Sequence, residues 1–474
     1  MLFSSLVFIF VFLPIILLSY YLSPRNVRNY ILLTFSILFY AWGGVKYTLI
    51  LIISILINYL VVRQLVQHKP GAKKWLTAGL IFNITLLVVF KYLDFFIDNL
   101  NDLGIMVYDN FGSIPNANII LPLGISFFTF QQISMLWDIY RNPENNSAKF
   151  INTALYISFF PQLIAGPIVR YNDIIDQIRS RKETARLFTS GIQKFLLGLF
   201  KKIVLANSCA AMADAILDSN MNEYTVVVAW LGIVAYGFQI YFDFSGYSDM
   251  AIGLGRMFGF RILENFNFPY ISTSIKEFWR RWHMSLSSWF RDYVYIPIGG
   301  NRQGPSKTYI NLMIVFLLTG FWHGATWSFV FWGVFHGLFL IIERLGFDKI
   351  LNRIPGIFSW IYTMLVVIVG WVYFRIEDFT EASAFVAKLF GFGTSGDLLF
   401  VHYIDRERIV ILLLAAAASS TLFLHFKKFA LRFKDGSFSL GFTLIKDVIL
   451  VIMLFYSVLQ ITSGSYNPFI YFRF

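Results

Sequence analysis

Charged residues are scarce in this chain, and their scarcity excludes most classes of soluble protein. Asp, Glu, Lys and Arg make up 14% of the 474 residues, whereas a soluble domain contains roughly 25%. Hydrophobic residues make up 57%, and one membrane crossing needs about 20 apolar residues. Because apolar runs recur from Met1 to Ile461, we expect an all-α polytopic membrane protein with roughly ten to twelve transmembrane helices.

Reactive and metal-binding motifs are also missing. The single cysteine, Cys209, cannot form an intrachain disulfide, and we expect it to be a small buried packing residue. The chain contains no H-E-x-x-H or C-x-x-C sequence, so no metal site is predicted. It also lacks a G-x-S-x-G nucleophile elbow. Without an obvious nucleophile, a lone histidine suits general-base catalysis.

The cations lie in short loops between the apolar runs, as is typical of the cytoplasmic side of a membrane protein. The net charge of +12 therefore reflects topology, and no nucleic acid partner is expected. Arg25 and Arg28 follow the first apolar run, which predicts a cytoplasmic loop there and an N-terminus outside. The first run, Met1 to Leu22, lacks a basic head and a small-residue cleavage pattern, which predicts a retained transmembrane helix.

Helix-breaking residues interrupt one apolar run in the stretch FFPQLIAGPIVRY, residues 159–171. Pro161, Gly166 and Pro167 lie within it, and both flanks of the run carry cations. We therefore expect a broken, re-entrant element that enters and leaves the membrane by one face, surrounded by protein or by a water-filled cavity. A simple kinked span is the alternative.

A first cluster of ionisable residues lies in YFDFSGYSDMAIGLGRMFGF, residues 241–260. Ionisable groups within membrane spans are candidates for function. Asp243, Asp249 and Arg256 interrupt this apolar run, and Asp249 and Arg256 are two helical turns apart, so that they could share a face and a network. A structural ion pair between packed helices is the competing interpretation.

A second cluster, KEFWRRWHMSLSSWFRDYVYIPIGGNR at residues 276–302, predicts an amphipathic helix at the cytoplasmic interface over residues 275–294. One aromatic and apolar stripe recurs at spacings of three and four: Trp279, Trp282, His283, Leu286, Trp289, Phe290 and Tyr293. Arg280, Arg281 and Arg291 fall on the other side, available to the headgroups of membrane lipids or to a phosphate-bearing donor. An interfacial anchor explains most of the stripe. His283 faces the bundle, where an imidazole needs a hydrogen-bonding partner or a chemical task.

The third cluster is TGFWHGATWSFVFWGVFHGL, residues 319–338, an apolar run with two histidines and no acidic residue. A histidine inside a span is costly unless it is satisfied. His323 is therefore either a satisfied packing residue or a catalytic base. His336 follows thirteen positions later, which turns it roughly 140° away on a continuous helix, so we do not expect the pair to share one ligand.

Taken together, these clusters resemble the membrane-bound O-acyltransferase family. The resemblance rests on Trp322, His323 and Gly324 in a span, preceded by WRRWHMSLSSWFRDYVYIPIGG. It extends over most of the chain through SFFTFQQISMLWDIYR, FFPQLIAGPIVRY, YFDFSGYSDMAIGLGRMFGF and the terminal NPFIYFRF. Within the family, the chain looks most like the bacterial branch of alginate and peptidoglycan O-acetyltransferases.

The resemblance implies an O-acetyltransferase that moves an acetyl group from cytoplasmic acetyl-CoA across the membrane to an extracytoplasmic polysaccharide, either alginate-like or peptidoglycan. It implies that His323 is the essential catalytic histidine and that His283 is the second functional histidine. It also implies a ring of helices around a thinned centre, where a cytoplasmic and an extracytoplasmic funnel meet near His323. From their positions, the residues expected to bind the donor are Arg280, Arg281, Arg291, Arg302, Trp282 and Trp322.

The same resemblance implies a protein of the bacterial cytoplasmic membrane that works with a partner. Because the chain shows no sizeable soluble domain, we expect an extracytoplasmic serine-hydrolase-like acetyltransferase to pass the acetyl group to the polymer. One domain is expected over residues 1–474, with N-terminal spans (1–150), a catalytic core (151–345) and C-terminal spans (346–474). The alternative is a polytopic transporter or flippase of a lipid-linked or acyl intermediate, for which paired broken helices would be expected.

Overall fold

The fold is that of a polytopic all-α membrane protein, as predicted. A computed structural model describes residues 1–67, 69–107, 113–143, 149–393, 396–422, 424–425 and 437–464, and every regular element in these ranges is helical. Among the described residues, seven helices are long and apolar enough to cross a membrane: Val45–Gln67, Ala72–Gly104, Ala185–Leu217, Val226–Met257, Trp327–Leu351, Gly356–Arg375 and Leu444–Thr462. The total of ten to twelve spans stays a prediction, and the terminal NPFIYFRF lies outside the described residues.

The chain divides into two compact units. The N-terminal unit comprises Met1–Phe3, Val7–Ala185 and Phe258–Ile262, and the C-terminal unit comprises Ser4–Leu6, Arg186–Met257 and Leu263–Phe474. The predicted boundaries at residues 150 and 345 stay a prediction. Both units are described separately below.

The described residues of the N-terminal unit form eight α-helical segments. They are α1 (Phe8–Leu22), α2 (Arg28–Ala41), α3 (Val45–Gln67), α4 (Ala72–Gly104), α5 (Ile125–Arg141), α6 (Phe150–Ser158), α7 (Phe160–Leu163) and α8 (Tyr171–Arg179). The first apolar run thus forms a helix shorter than the predicted Met1 to Leu22. Buried amides join α3 to α4, where Asn58 and Asn83 exchange side-chain hydrogen bonds of 2.8 and 3.1 Å. Such pairing satisfies polar groups that water cannot reach.

The stretch at residues 159–171 is broken, as predicted. Helix α6 ends at Ser158, the short α7 follows, and the backbone leaves helical geometry before α8 begins. Gly166 is needed at this break, because a Cβ there would lie 2.5 Å from the carbonyl oxygen of Pro161. The buried Tyr156 hydroxyl donates to the freed carbonyl of Val169 at 2.9 Å. Protein atoms therefore surround the irregular backbone, while the crossing of only one membrane face stays a prediction.

The C-terminal unit carries the remaining helices. They are α9 (Ala185–Leu217), α10 (Val226–Met257), α11 (Ile275–Arg281), α12 (Met284–Phe290), α13 (Pro305–His323), α14 (Trp327–Ile342), α15 (Gly356–Arg375), α16 (Phe379–Leu389), α17 (Arg406–Ser419) and α18 (Ser437–Thr462). Cys209 is fully buried within α9, as predicted.

The ionisable residues of α10 form ion pairs with α9. Lys202 and Asp243 lie 2.6 Å apart, and both side chains are buried. Asp249 contacts Lys194 at 2.9 Å and Lys201 at 2.7 Å. Lys194 and Arg256 both contact Glu264, at 2.8 and 3.1 Å. The predicted network of Asp249 and Arg256 is therefore confirmed, although Lys194 and Glu264 connect them, and its geometry supports the interpretation as structural ion pairs between packed helices.

The predicted single interfacial helix over residues 275–294 is wrong. Helix α11 ends at Arg281, α12 begins at Met284, and a π-helical turn follows at Arg291–Tyr295. His283 interrupts the helix because its backbone is left-handed, with φ of 44°. The spacing of the aromatic stripe predicted continuity, but hydrogen bonds from a distant residue stabilise the break. Six of the seven stripe residues are nevertheless buried: Trp279, Trp282, His283, Leu286, Trp289 and Phe290.

The third cluster is likewise not one continuous helix, which corrects the geometry assumed for His323 and His336. Helix α13 ends at His323, and α14 begins at Trp327. The two helices pack closely, because a Cβ at Gly320 would lie 3.0 Å from the Cα of Gly333 and would also clash with the Phe329 carbonyl. A long apolar run has therefore folded into two packed helices joined at Gly324–Thr326.

Candidate active site

Three histidines from separate elements of the C-terminal unit lie in one cluster of aromatic rings. The ring centroids of His283 and Trp322 are 6.3 Å apart, and those of Trp322 and His323 are 4.8 Å apart. Trp332 contacts His323 at 5.2 Å and His336 at 4.9 Å. The structure thus brings both predicted functional histidines together around the indole of Trp322.

His323 is the last residue of α13 and is enclosed by rings. Besides Trp322 and Trp332, Phe374 of α15 contacts it at 5.0 Å with an interplanar angle of 73°. The helix ends here with Gly324 in an extended conformation, and the Phe329 ring occupies the space that a Cβ of Gly324 would need. Of the His323 surface, 6% is accessible. A group that reaches this imidazole would therefore react away from bulk water.

His283 is held in a different way, by hydrogen bonds at a left-handed residue. Its Nδ1 lies 3.2 Å from the side-chain oxygen of Asn265, and its ring meets that of Phe244 edge-on at 4.6 Å. Burial lowers the pKa of His283 to about 3. The imidazole is therefore neutral near pH 7 and can accept a hydrogen bond or a proton.

His336 lies in α14 and packs between two indoles. Its ring centroid is 4.9 Å from that of Trp332 and 5.0 Å from that of Trp279. Gly370 of α15 approaches it so closely that a Cβ there would lie 2.5 Å from His336 Nε2. These contacts are those of a packing residue that joins α14 to α15.

Of the residues expected to bind the donor, Arg291 lines a cavity. This cavity of about 450 Å³ is lined by charged residues of both signs and by apolar residues: Lys276, Arg291, Arg344, Glu343 and Asp348, with Leu312, Val315 and Leu340. Arg280 and Arg302 are exposed and do not line it. Arg281 forms an ion pair with Glu277 at 2.8 Å.

The two tryptophans expected to bind the donor are both buried. Trp282 stacks on Phe278 at 5.6 Å and contacts Trp371 at 4.8 Å. Trp322 lies between the His283 and His323 rings. The structure therefore brings Trp322 to the histidines, whereas Trp282 belongs to a neighbouring aromatic group.

Glu343 is a structurally important residue that the sequence analysis missed. It follows α14, is 1% exposed, and accepts hydrogen bonds from the backbone N–H groups of Ile275 at 2.6 Å and Lys276 at 3.0 Å. A carboxylate is favourable at the N-terminus of a helix such as α11. The available signal was an acidic residue at the end of an otherwise apolar run. Lys276 and Arg344, at the ends of their segments, were missed as lining residues of the cavity.

Comparisons with known proteins agree with these features. The model of the MBOAT, membrane-bound O-acyltransferase family matches residues 86–376. The chain is 41% identical to a Pseudomonas putida protein named "Probable alginate O-acetylase AlgI", with 100% of both chains covered. It is 39% identical to the peptidoglycan O-acetyltransferase of Helicobacter pylori, over 81% of this chain and 78% of that protein.

A more distant similarity is to the teichoic acid D-alanyltransferase of Bacillus subtilis, which is 31% identical over 48% of this chain and 60% of that protein. The family match includes His283, His323 and His336. Its extent covers more than half of the chain, and the full-length similarity extends it to both ends. The chain therefore belongs to the membrane-bound O-acyltransferase family and is an acyltransferase.

Proposed function

We propose that this protein is an O-acetyltransferase that moves an acetyl group from cytoplasmic acetyl-CoA across the membrane for O-acetylation of an extracytoplasmic polysaccharide. The names of two relatives support an alginate-like exopolysaccharide or peptidoglycan as the acceptor. The observation that carries the proposal is the ring-lined position of His323 at the end of α13, with His283 in the same cluster.

His323 is the general base of the proposed reaction. A hydroxyl of the partner protein, or of an intermediate carrier, gives its proton to the neutral imidazole while its oxygen attacks the acetyl carbonyl carbon. The new ester C–O bond forms and the C–S bond to coenzyme A breaks. The thiolate then takes the proton from the imidazolium, so that His323 returns to its starting state. His283 is the second functional histidine, and its ring contacts Trp322, which also contacts His323.

The cavity beside Arg291 supports a phosphate-bearing donor. Three cations, Lys276, Arg291 and Arg344, line it against two carboxylates, and its apolar residues suit the less polar part of the donor. Of the remaining assignments, Trp322 is supported by its contact with both histidines. Arg280, Arg281, Arg302 and Trp282 remain proposed donor contacts on the basis of sequence position alone.

The proposed setting is the bacterial cytoplasmic membrane, with the N-terminus outside. An extracytoplasmic serine-hydrolase-like acetyltransferase is the proposed partner, since the polymer is hydrated and lies beyond the membrane. The two funnels that would bring donor and acceptor to His323 are part of the proposal. A transporter or flippase would share the helices but would not cleave a thioester.

The test is the His323→Ala variant, with His402→Ala as its matched control. Membranes that contain the protein together with its acceptor are supplied with acetyl-CoA and thiol release is measured, while polymer acetylation is measured in cells. We expect His323→Ala to lose activity by about 100-fold or more, because general-base catalysis contributes this much. His402 is exposed at the end of a short 3₁₀ helix, Phe400–His402, so its variant should behave as wild type. Near-normal acetylation by a folded His323→Ala protein, or absence of thiol release by the wild type, would refute the proposal.

A further inference from the structure

Asn265, in the segment that follows α10, contacts the His283 turn through two of its groups and α10 through a third. Its side-chain oxygen accepts hydrogen bonds from the Ser285 N–H at 3.1 Å and the Ser285 hydroxyl at 2.9 Å, and lies 3.2 Å from His283 Nδ1. Its backbone carbonyl accepts from the Met284 N–H at 2.9 Å. Its side-chain nitrogen donates to the Ser248 hydroxyl at 3.1 Å. One residue, 1% exposed, thus connects α10 to the break between α11 and α12.

These bonds determine which ring nitrogen of His283 carries the proton. A backbone N–H is always a donor, so the Asn265 atom that faces Ser285 must be the amide oxygen, and the amide cannot be turned over. An amide oxygen only accepts, and therefore His283 Nδ1 must be the donor to it. The Ser285 hydroxyl is 3.4 Å from Nδ1 but 2.9 Å from the Asn265 oxygen, so its proton goes to Asn265. The neutral ring consequently has its lone pair on Nε2.

The same residue fixes the backbone of the turn. His283 has φ of 44° and ψ of 52°, a left-handed conformation that non-glycine residues rarely adopt and that surrounding contacts have to stabilise. The Asn265 carbonyl and side-chain oxygen bind the two N–H groups that follow His283. Both the orientation and the protonation of the ring therefore depend on Asn265.

The other ring nitrogen is available for chemistry. His283 is 1% exposed, and its Nε2 has no hydrogen-bond partner among the residues that the structure describes. The His283 ring centroid lies 6.3 Å from that of Trp322, the residue next to His323. A buried acceptor at such a place calls for a donor from outside the chain.

We propose that Asn265 is the positioning residue that presents His283 Nε2, as a neutral hydrogen-bond acceptor, to a hydroxyl or amide N–H of the reacting molecules. The inference rests on the proposed function, because it assigns His283 to the same acetyl transfer. Asn265 itself touches no reactant. In this arrangement it acts as an orienting side chain acts on a catalytic histidine, by fixing the tautomer through the nitrogen that does not react.

The test compares Asn265→Ala and Asn265→Asp with the matched control Asn267→Ala, an exposed residue two positions further along. Thiol release from acetyl-CoA is measured over pH 4 to 9 in membranes that contain each variant together with the acceptor. We expect Asn265→Ala to lower kcat by about 10-fold to 100-fold with KM for acetyl-CoA changed by about 3-fold at most, since proton handling is impaired more than donor binding. Asn267→Ala should match wild type.

Asn265→Asp is the informative conservative variant. Its carboxylate can accept the same three hydrogen bonds, so much of the activity should return, but its negative charge favours the imidazolium form of His283. The acid limb of the pH profile should therefore move to higher pH. A merely structural role of Asn265 would leave that limb in place.

Two results overturn the inference: Asn265→Ala as active as Asn267→Ala, or an active Asn265→Asp with an unmoved acid limb. If Asn265→Ala does not fold, the Asn265→Asp profile decides alone, with a moved limb in support and an unmoved limb against. The His323→Ala variant separates this inference from the proposed function. An inactive His323→Ala beside a fully active Asn265→Ala would overturn the role of Asn265 only, whereas an active His323→Ala would overturn the function itself.

Discussion

The two proposed functional histidines, His283 and His323, lie at two helix breaks that are built in different ways. At the break between α11 and α12, hydrogen bonds from Asn265 hold His283 in a left-handed turn. At the break between α13 and α14, packing determines the turn, since the Phe329 ring and carbonyl fill the space beside Gly324 and Gly320. The first break depends on directional hydrogen bonds, and the second depends on the volume of the packed groups. The two should therefore fail in response to different substitutions.

The largest effect is expected from added volume at the second break. In Gly320→Ala, the new methyl group would meet the Phe329 carbonyl and the Gly333 backbone, neither of which can turn aside. We expect the free energy of unfolding to fall by about 1–3 kcal/mol. A displaced His323 should lower activity by about 100-fold. Thermal denaturation in detergent and thiol release measure the two effects, and Gly356→Ala, with open space around it, is the control. Equal behaviour of both variants would contradict a volume-dependent break.

An intermediate effect is expected where Glu343, after α14, holds the start of α11. Glu343→Ala leaves two backbone N–H groups without their acceptor, and we expect a loss of about 1–3 kcal/mol in stability. Glu343→Gln keeps one carbonyl acceptor and should lose less. Melting curves of these variants, compared with the exposed Glu381→Ala, test the order. A Glu343→Ala protein as stable as Glu381→Ala would show that this carboxylate does not stabilise the start of α11.

The smallest expected effect is the stability difference between glycine and alanine, which has opposite signs at the two breaks. At His283, glycine should be more stable than alanine by about 1 kcal/mol, since a left-handed backbone penalises a Cβ. At His323, which is helical, alanine should be more stable than glycine by about 0.5–1 kcal/mol. Melting temperatures of the four variants give both differences. The same preference at both positions would mean that the left-handed turn at His283 is not a property of the folded protein.

The membrane class, the family and the broken stretch around Pro161 and Gly166 could be predicted from the sequence, because composition and helix-breaking residues are local signals. The break at His283 could not, since the spacing of its aromatic stripe fits a continuous helix and the residue that opens it, Asn265, is eighteen positions away. The break after His323 had a usable signal: an apolar run from Tyr309 to Ile342 is much longer than the roughly 20 residues of one span.

The ion pairs likewise show that the sequence does not identify tertiary partners. Asp243, Asp249 and Arg256 were visible as charges in an apolar run, but their partners were not assigned, because pairing between helices is a tertiary property. Lys194, Lys201 and Lys202 lie in the preceding run, which was treated only as apolar. The donor site was predicted from four arginines and two tryptophans. The cavity at Arg291 is also lined by Lys276 and Arg344, because α11, α13 and the end of α14 meet there.

The contact between Lys202 and Asp243 affects how the chain inserts into the membrane. Each residue lies near the middle of its span, and a lone lysine or aspartate at that depth opposes insertion by about 2.5–3.5 kcal/mol. At 2.6 Å the opposite charges compensate each other. Helices α9 and α10 are therefore expected to insert into the lipid together, as a hairpin, after both have been synthesised.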